Sequence, residues 1–331
     1  MHKYSYLFAH SLWLVTFISI FSSGALSFLS FTYSFVVIPV AEIFIPPNSF
    51  NFSSQKQKQI KDDLFYDILL YITLPLQYGM LTFYLTHMST HSYTWWETLG
   101  KIFAMGICCG VMGINVGHEL GHRKKSYEKL MAKLLLITSL YGHFFIDHNK
   151  GHHKLVGTPQ DPTTAKKNQN SYSFIFQSLF GSFKSAWKLD KLEMKRIQLM
   201  QMSLIISIGF LFGLLGVFYF LSAAFLGAIL LELVNYIEHY GLSRKINPQT
   251  GRFEKVAPKH SWNSNHILGR ALLFELSRHS DHHANASKKY QTLRSLAESP
   301  QMPTGYPGMI VLALIPPLWF KLIDPKIQKE E

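Results

Sequence analysis

Four short stretches of this sequence carry imidazoles at spacings that suit metal coordination. HELGH places His118 and His122 at i and i+4, on one face of a helix. DHNKGHH supplies His148, His152 and His153, and NYIEHYGL supplies His239. RHSDHH supplies His279, His282 and His283 at i, i+3 and i+4. Buried imidazoles need hydrogen-bond partners, and packing alone rarely asks for three rings in six residues. Each stretch also has a bland reading. HELGH fits the His-Glu-x-x-His zinc helix but also occurs by chance. RHSDHH can be a polar loop, and a lone His239 can be a solvated or satisfied side chain. Together, nine imidazoles exceed what one tetrahedral zinc accepts. Two metals with mostly imidazole ligands fit the count. Imidazole suits Fe, Cu, Zn and Ni, so the spacing leaves the metal open.

The acids beside these rings have a job if the rings bind metal. A ligating histidine usually donates its other N–H to a carboxylate or carbonyl, which fixes its tautomer. Glu119, Asp147, Glu238 and Asp281 each neighbour a proposed ligand; the alternative is that they are solvated surface acids. Glu238 and Asp281 are expected to take part in catalysis, by orienting ligands or touching the metals. His260 and His266, in HSWNSNH, are candidates for the same outer layer. His2, His10, His87, His91 and His143 show no spacing pattern and read as non-ligands.

The elements that must position these groups are apolar. Of the residues, 48% are hydrophobic and only 16% charged, against roughly 25% charged in a soluble domain. The pattern predicts an all-α integral membrane protein of about six transmembrane helices. They are expected near 5–22, 25–45, 64–86, 97–118, 199–218 and 221–241, with a kink at Pro75 and a turn between Gly216 and Ser222. The fourth runs into HELGH and the sixth ends at His239. The segments 119–198 and 242–331 would form the His-rich catalytic region of this single membrane domain. Within them, 174–189 reads as an amphipathic helix on the membrane surface. The stretch 309–320 is too short to span and is broken by Pro316 and Pro317. No cleavable signal peptide is expected. Cys108 and Cys109 are the only cysteines; adjacent in an apolar run, they suit neither a disulfide nor a thiolate site.

The formal charge of +12 and pI near 9.5 raise nucleic-acid binding. The distribution argues against it. The turns at 22–26 and 216–222 and the loop 87–96 carry no Lys or Arg, whereas 46–63 and the two long polar segments carry nearly all of them. The positive-inside rule then puts both termini and every histidine cluster on the cytoplasmic side of the inner membrane. Trp95 and Trp96 would sit at the opposite interface. The basic excess would face anionic lipid or an acidic partner.

HELGH, DHNKGHH and RHSDHH resemble the three histidine boxes of the membrane fatty-acid desaturase and hydroxylase superfamily. NYIEHYGL, LSRHSDHHA (276–284), HSWNSNH and VGTPQDP (156–162) resemble its alkane 1-monooxygenase branch, which includes xylene-type alkyl-aromatic hydroxylases. The resemblance covers roughly 60 to 320. It implies a non-haem di-iron site held by His118, His122, His148, His152, His153, His239, His279, His282 and His283. It further implies terminal hydroxylation of an alkane with O2 and electrons from rubredoxin, itself served by rubredoxin reductase. Two positions depart from the family pattern. Asp147 stands where the second box usually opens with Glu, and Arg123 follows the first box where Lys is usual.

Other readings make different demands. A lipid desaturase would use the same site and yield an alkene. An intramembrane zinc protease would use HELGH with Glu119 as general base, and would need only about three protein ligands. A metal transporter would hold its ligands near the membrane midplane, not at one face.

Overall fold

The computed structural model describes residues 1–327. Among them the chain is helical, and its only β features are the isolated bridges Ile246–Phe253 and Asn263–Gln301. Five helical stretches are long and apolar enough to cross a membrane. They are α1 (Lys3–Phe21), α2 (Gly24–Phe44), α3 (Leu64–Thr90), α4 (Trp95–Gly121) and, later in the chain, α7 (Lys191–His239). Between the last two lie α5 (Ser126–Ile137) and α6 (Ser171–Leu189). The short helices α8 (His279–Ala284) and α9 (Tyr306–Ala313) follow.

Helix α7 is two antiparallel arms. Gly213 breaks it with φ 68° and ψ −173°, a conformation open to glycine and costly for other residues. Gln201 accepts a hydrogen bond from Gly142 N, while Glu232 accepts one from the adjacent Tyr141. In one continuous helix those two α7 residues would stand about 46 Å apart, at 1.5 Å per residue. The reversal therefore falls at Gly213, earlier than the expected turn at 216–222. Phe210 and Leu214 at the tip are 90% and 88% exposed, as a lipid-facing turn would be.

Local chemistry sets the other ends. Thr94 and Glu97 form a capping box at the start of α4, and Glu97 also accepts from Gly24 N at the α1–α2 turn. Lys101 is buried and donates to the free carbonyls of Ile20 and Ser22 at the end of α1. In α3 the break comes at Ile72 and not at Pro75 itself, because Pro75 has no N–H to offer the carbonyl one turn earlier. Helix α6 buries Ser178, Ser182 and Ala186 against the bundle and leaves Phe176 and Phe180 exposed. The 309–320 stretch is two short helices, α9 and Pro316–Ile323.

Helices α4 and α7 pack closely through glycines. Gly106 faces Leu226, and Gly227 faces Cys109 and Gly110. Their C-terminal ends, HELGH and NYIEH, thereby reach the same end of the bundle.

Candidate metal centre

The nine sequence-predicted histidines converge there in two groups. His118, His122, His148, His153 and His282 form one; His152, His239, His279 and His283 form the other. Within each group the candidate ligand atoms all lie within 4.8 Å of one another.

Helical geometry explains the sorting. In α8, His279 and His283 are one turn apart and share the second group, while His282 faces the first. In the second box, His148 and His153 meet at Nε2–Nε2 3.0 Å although they are five residues apart. In an α-helix such residues point about 140° apart. Here His148–His152 is a π-turn, closed by His153 N donating to His148 O, and its wider coil brings them together. A second π-turn, Cys109–Ile114, precedes HELGH and sets the phase at which α4 presents His118.

The ring nitrogens crowd one another. Nε2–Nε2 separations are 3.0 Å for His118–His282, 3.1 Å for His282–His153, 3.1 Å for His239–His279 and 2.9 Å for His283–His279. The buried Nε2 atoms of His122 and His152 have no hydrogen-bond partner. Two nitrogens bound at right angles, about 2.1 Å from one ion, stand about 3.0 Å apart. The donor set therefore fits first-row metal ions held by imidazole. Burial, reinforced by the neighbouring rings, pushes His122, His148, His153, His279, His282 and His283 well below the ordinary imidazole range. They are neutral and present lone pairs.

Three outer nitrogens of the second group lie near oxygen, though His279 Nδ1 makes no hydrogen bond there, and His283 Nδ1 has no hydrogen-bond partner among the described residues. His152 Nδ1 lies 2.9 Å from Asp161, His239 Nδ1 3.3 Å from the carbonyl of His260, and His279 Nδ1 3.2 Å from Glu238. Burial opposes charge on His152, but Asp161 outweighs it and raises its pKa. Asp161 is itself fixed by Thr163 and Thr164. Tyr306 donates to Glu238.

The other acids are used differently. Asp281 faces Asn285, Lys288 and Arg294, not the histidines. Glu119 pairs with Arg123 and accepts from Tyr290 N. Asp147 is buried beside Ser185, and burial raises its pKa to about 7. The rings of His260 and His266 turn to Glu254 and Ser264; only the backbone of His260 serves the site. His2, His10, His87, His91 and His143 stand outside both groups. Asp161 lies in VGTPQDP, nine residues past His152 and outside every histidine stretch, so spacing alone gives no sign of its contact with His152.

A narrow cavity of ≈ 60 Å³ ends on both groups. Phe35, Val111, Leu230, Val234, Leu273 and Ile310 contribute to its apolar wall. Asn115, His118, His148, Asn235, Glu238 and His279 form its polar end. The arrangement brings an apolar molecule to a metal-binding site and gives it few polar contacts on the way.

The fatty acid desaturase family model matches residues 93–313, which include all nine histidines. Alkane 1-monooxygenase 2 of Alcanivorax borkumensis is 38% identical over 316 residues, 90% of this chain and 82% of that protein. Alkane 1-monooxygenase 2 of Pseudomonas aeruginosa is 41% identical over 281 residues, 80% and 74% of the two chains. The hydroxylase component of the xylene/toluene monooxygenase of Pseudomonas putida is 30% identical over 315 residues, 89% and 81%.

Proposed function

The chain belongs to the fatty acid desaturase family, among its alkane 1-monooxygenases, and from that premise we propose that it hydroxylates the terminal carbon of alkanes at a pair of non-haem irons. The co-substrate is O2, the electrons come from rubredoxin and the product is a primary alcohol. The observation that carries the reading is the junction of one apolar cavity with two adjoining imidazole groups.

His118, His122, His148, His153 and His282 would hold one iron; His152, His239, His279 and His283 would hold the other. When bound, the irons supply the reductive activation of O2 that an unactivated C–H bond demands. The chain's own residues do the rest. The cavity wall binds the alkane by shape, since an alkane offers no polar handle. The same wall keeps water from the reacting carbon. Asp161 and the His260 carbonyl hold protons at the Nδ1 atoms of His152 and His239, leaving Nε2 free to ligate, and Glu238 places a carboxylate 3.2 Å from His279 Nδ1. Asp281 fixes the turn after α8 through Lys288 and Arg294, so it supports the third box from behind.

The protein is an integral, multi-pass membrane protein. Its Lys- and Arg-poor turns support an inner-membrane orientation with the histidine end in the cytoplasm. Beside His122 a cleft of ≈ 520 Å³ is lined by Arg123, Lys124, Lys129, Lys133 and Lys150, and by Asp190 and Glu193, which pair with Lys150 and Lys133 and leave the cleft basic. Such a surface suits an acidic electron carrier, as rubredoxins typically are.

Membranes containing the protein, supplied with rubredoxin, rubredoxin reductase, NADH and a panel of alkanes, are expected to form primary alcohols, with about two iron atoms per chain. One zinc per chain, or alkenes from acyl chains in place of alcohols, would overturn the reading. The xylene/toluene relative makes alkyl-aromatics a second class to include in the panel.

Asp161→Asn is expected to lower iron affinity or turnover by ~10–100-fold. Titrating apoprotein with Fe(II) checks it, and wild-type affinity together with wild-type turnover would remove Asp161 from the site.

A further inference from the structure

A second set of buried polar groups lies beside the histidines and is not explained by metal binding. Glu232 sits on α7, 0% exposed, seven residues before His239. Tyr141 Oη donates to its carboxylate, and Asn235 Nδ2 donates to Oε2 at 3.2 Å. Tyr141 Oη also lies 3.4 Å from Ser182 Oγ, which lies 3.3 Å from His143 Nε2 and donates its own proton to Ser178 O at 2.7 Å, so passing a proton on requires that hydroxyl to rotate. All five are buried, His143 and Asn235 at 4% being the most exposed.

Among the described buried acids some are ion-paired, while Glu232, like Glu42, Glu97, Glu128 and Asp147, is held by neutral groups. Glu119 is paired with Arg123, Glu275 with Arg270 and Asp281 with Lys288. Among the described residues Glu232 has no ion pair, and its hydrogen bonds come from neutral groups. An acid in a membrane-length apolar helix is costly, and such residues commonly carry protons or bind substrate. Carboxyl, phenol, hydroxyl and neutral imidazole each both give and take a proton. Burial holds His143 at about 3, so its ring is neutral and can take a proton on one nitrogen as it gives one from the other. Asn235 is part of the cavity wall, together with His118, His148 and Glu238. Glu232 therefore stands one side chain behind the polar end of the substrate cavity.

We propose that His143, Ser182, Tyr141 and Glu232 form a relay that delivers protons to this end of the cavity. The inference rests on the hydroxylation reading above, which consumes protons: RH + O2 + 2 H⁺ + 2 e⁻ → ROH + H2O. The C–H bond is replaced by C–O–H, the electrons come from the carrier, and the second oxygen atom leaves as water. Glu232 gives its proton toward that departing oxygen and is reprotonated by Tyr141. The Tyr141 proton is replaced through Ser182 and His143. Asn235 orients the Glu232 carboxyl and carries no proton itself; the proton enters the cavity when that carboxyl releases Asn235 and swings past it.

The test uses full-length Glu232→Gln and Tyr141→Phe in membranes, with rubredoxin, its reductase, NADH and an alkane accepted by wild type. Iron per chain, alcohol formed per NADH consumed, and the rate in H2O and D2O are measured. Both variants are expected to keep wild-type iron, lose at least ~10-fold in alcohol formation and show a larger solvent isotope effect. Should Glu232→Gln fail to fold, the same signature in Tyr141→Phe sustains the relay. Wild-type rates with an unchanged isotope effect in either variant would overturn it, as would loss of iron in both, which would mark the network as structural. Wild-type membranes that make no alcohol would remove the hydroxylation reading and the relay with it; active wild type beside unaffected variants would remove only the relay.

Discussion

His239→Ala is expected to abolish alkane hydroxylation and to lower bound iron from about two per chain toward one. The second group has four imidazoles, one fewer than the first, and His239 is its only member from α7. Its removal leaves three rings on segments joined to α7 by no other ligand. No nearby imidazole can take its place. The His260 ring accepts from Ala257 N and contacts Glu254, so replacing His239 would mean giving up both. The variant also strands the His260 carbonyl in a buried site, which adds a cost of about 1–3 kcal/mol. Iron analysis of purified protein and the rubredoxin-coupled assay check the outcome. Normal iron with normal turnover would falsify the role given to His239. His122→Ala makes the informative contrast, since four imidazoles remain in its group. It is expected to lose less iron than His239→Ala, though turnover should still fall.

Much of this candidate site is legible in the sequence because its histidines are clustered locally. Spacings of three and four residues place HELGH and RHSDHH on helix faces without any knowledge of the fold. What a 3.6-residue period does not contain is harder to read. The π-turn that joins His148 to His153 has no signature in DHNKGHH, so the partition of that box between two groups emerges only in three dimensions. Neighbourhood in sequence misleads for Asp281. It lies two residues after His279, about 200° around the helix, and so faces Lys288 and Arg294. Glu238 avoids that fate because its target, His279, approaches from another segment. Asp161 was invisible for the converse reason: its histidine is nine residues away across a loop. Glu232 did carry a signal, a lone acid after an apolar stretch in which 204–231 holds no charge and no proline. That same uniformity hid the hairpin turn, since Gly209, Gly213 and Gly216 offer the chain equal freedom and packing selects Gly213.

Gly227→Leu is expected to be strongly damaging. A Cβ at Gly227 would lie 2.8 Å from Cys109 Cβ, 3.2 Å from Gly110 N and 3.3 Å from Gly106 O. Two of those atoms are helix backbone, which cannot turn aside as a side chain can. Even one methyl group there should cost about 1–3 kcal/mol, and a leucine more. The consequence would reach the metal centre because α4 and α7 also carry proposed ligands. His118 and His122 close one helix and His239 the other, while Val111, Leu230 and Val234 between them wall the cavity. Parting the helices at Gly227 shifts both groups against each other and opens the cavity to lipid. The expected result is low abundance, a lowered melting temperature in detergent and little bound iron in whatever folds. Gly79→Leu supplies the control, since nothing lies within 4 Å of a Cβ there; it should melt with wild type and keep its iron. Equal stability of the two variants would mean that close approach of α4 and α7 does not hold the centre together. The site would then have to be held from its polar end alone, by Asp161, Glu238 and the ion pairs around the third box.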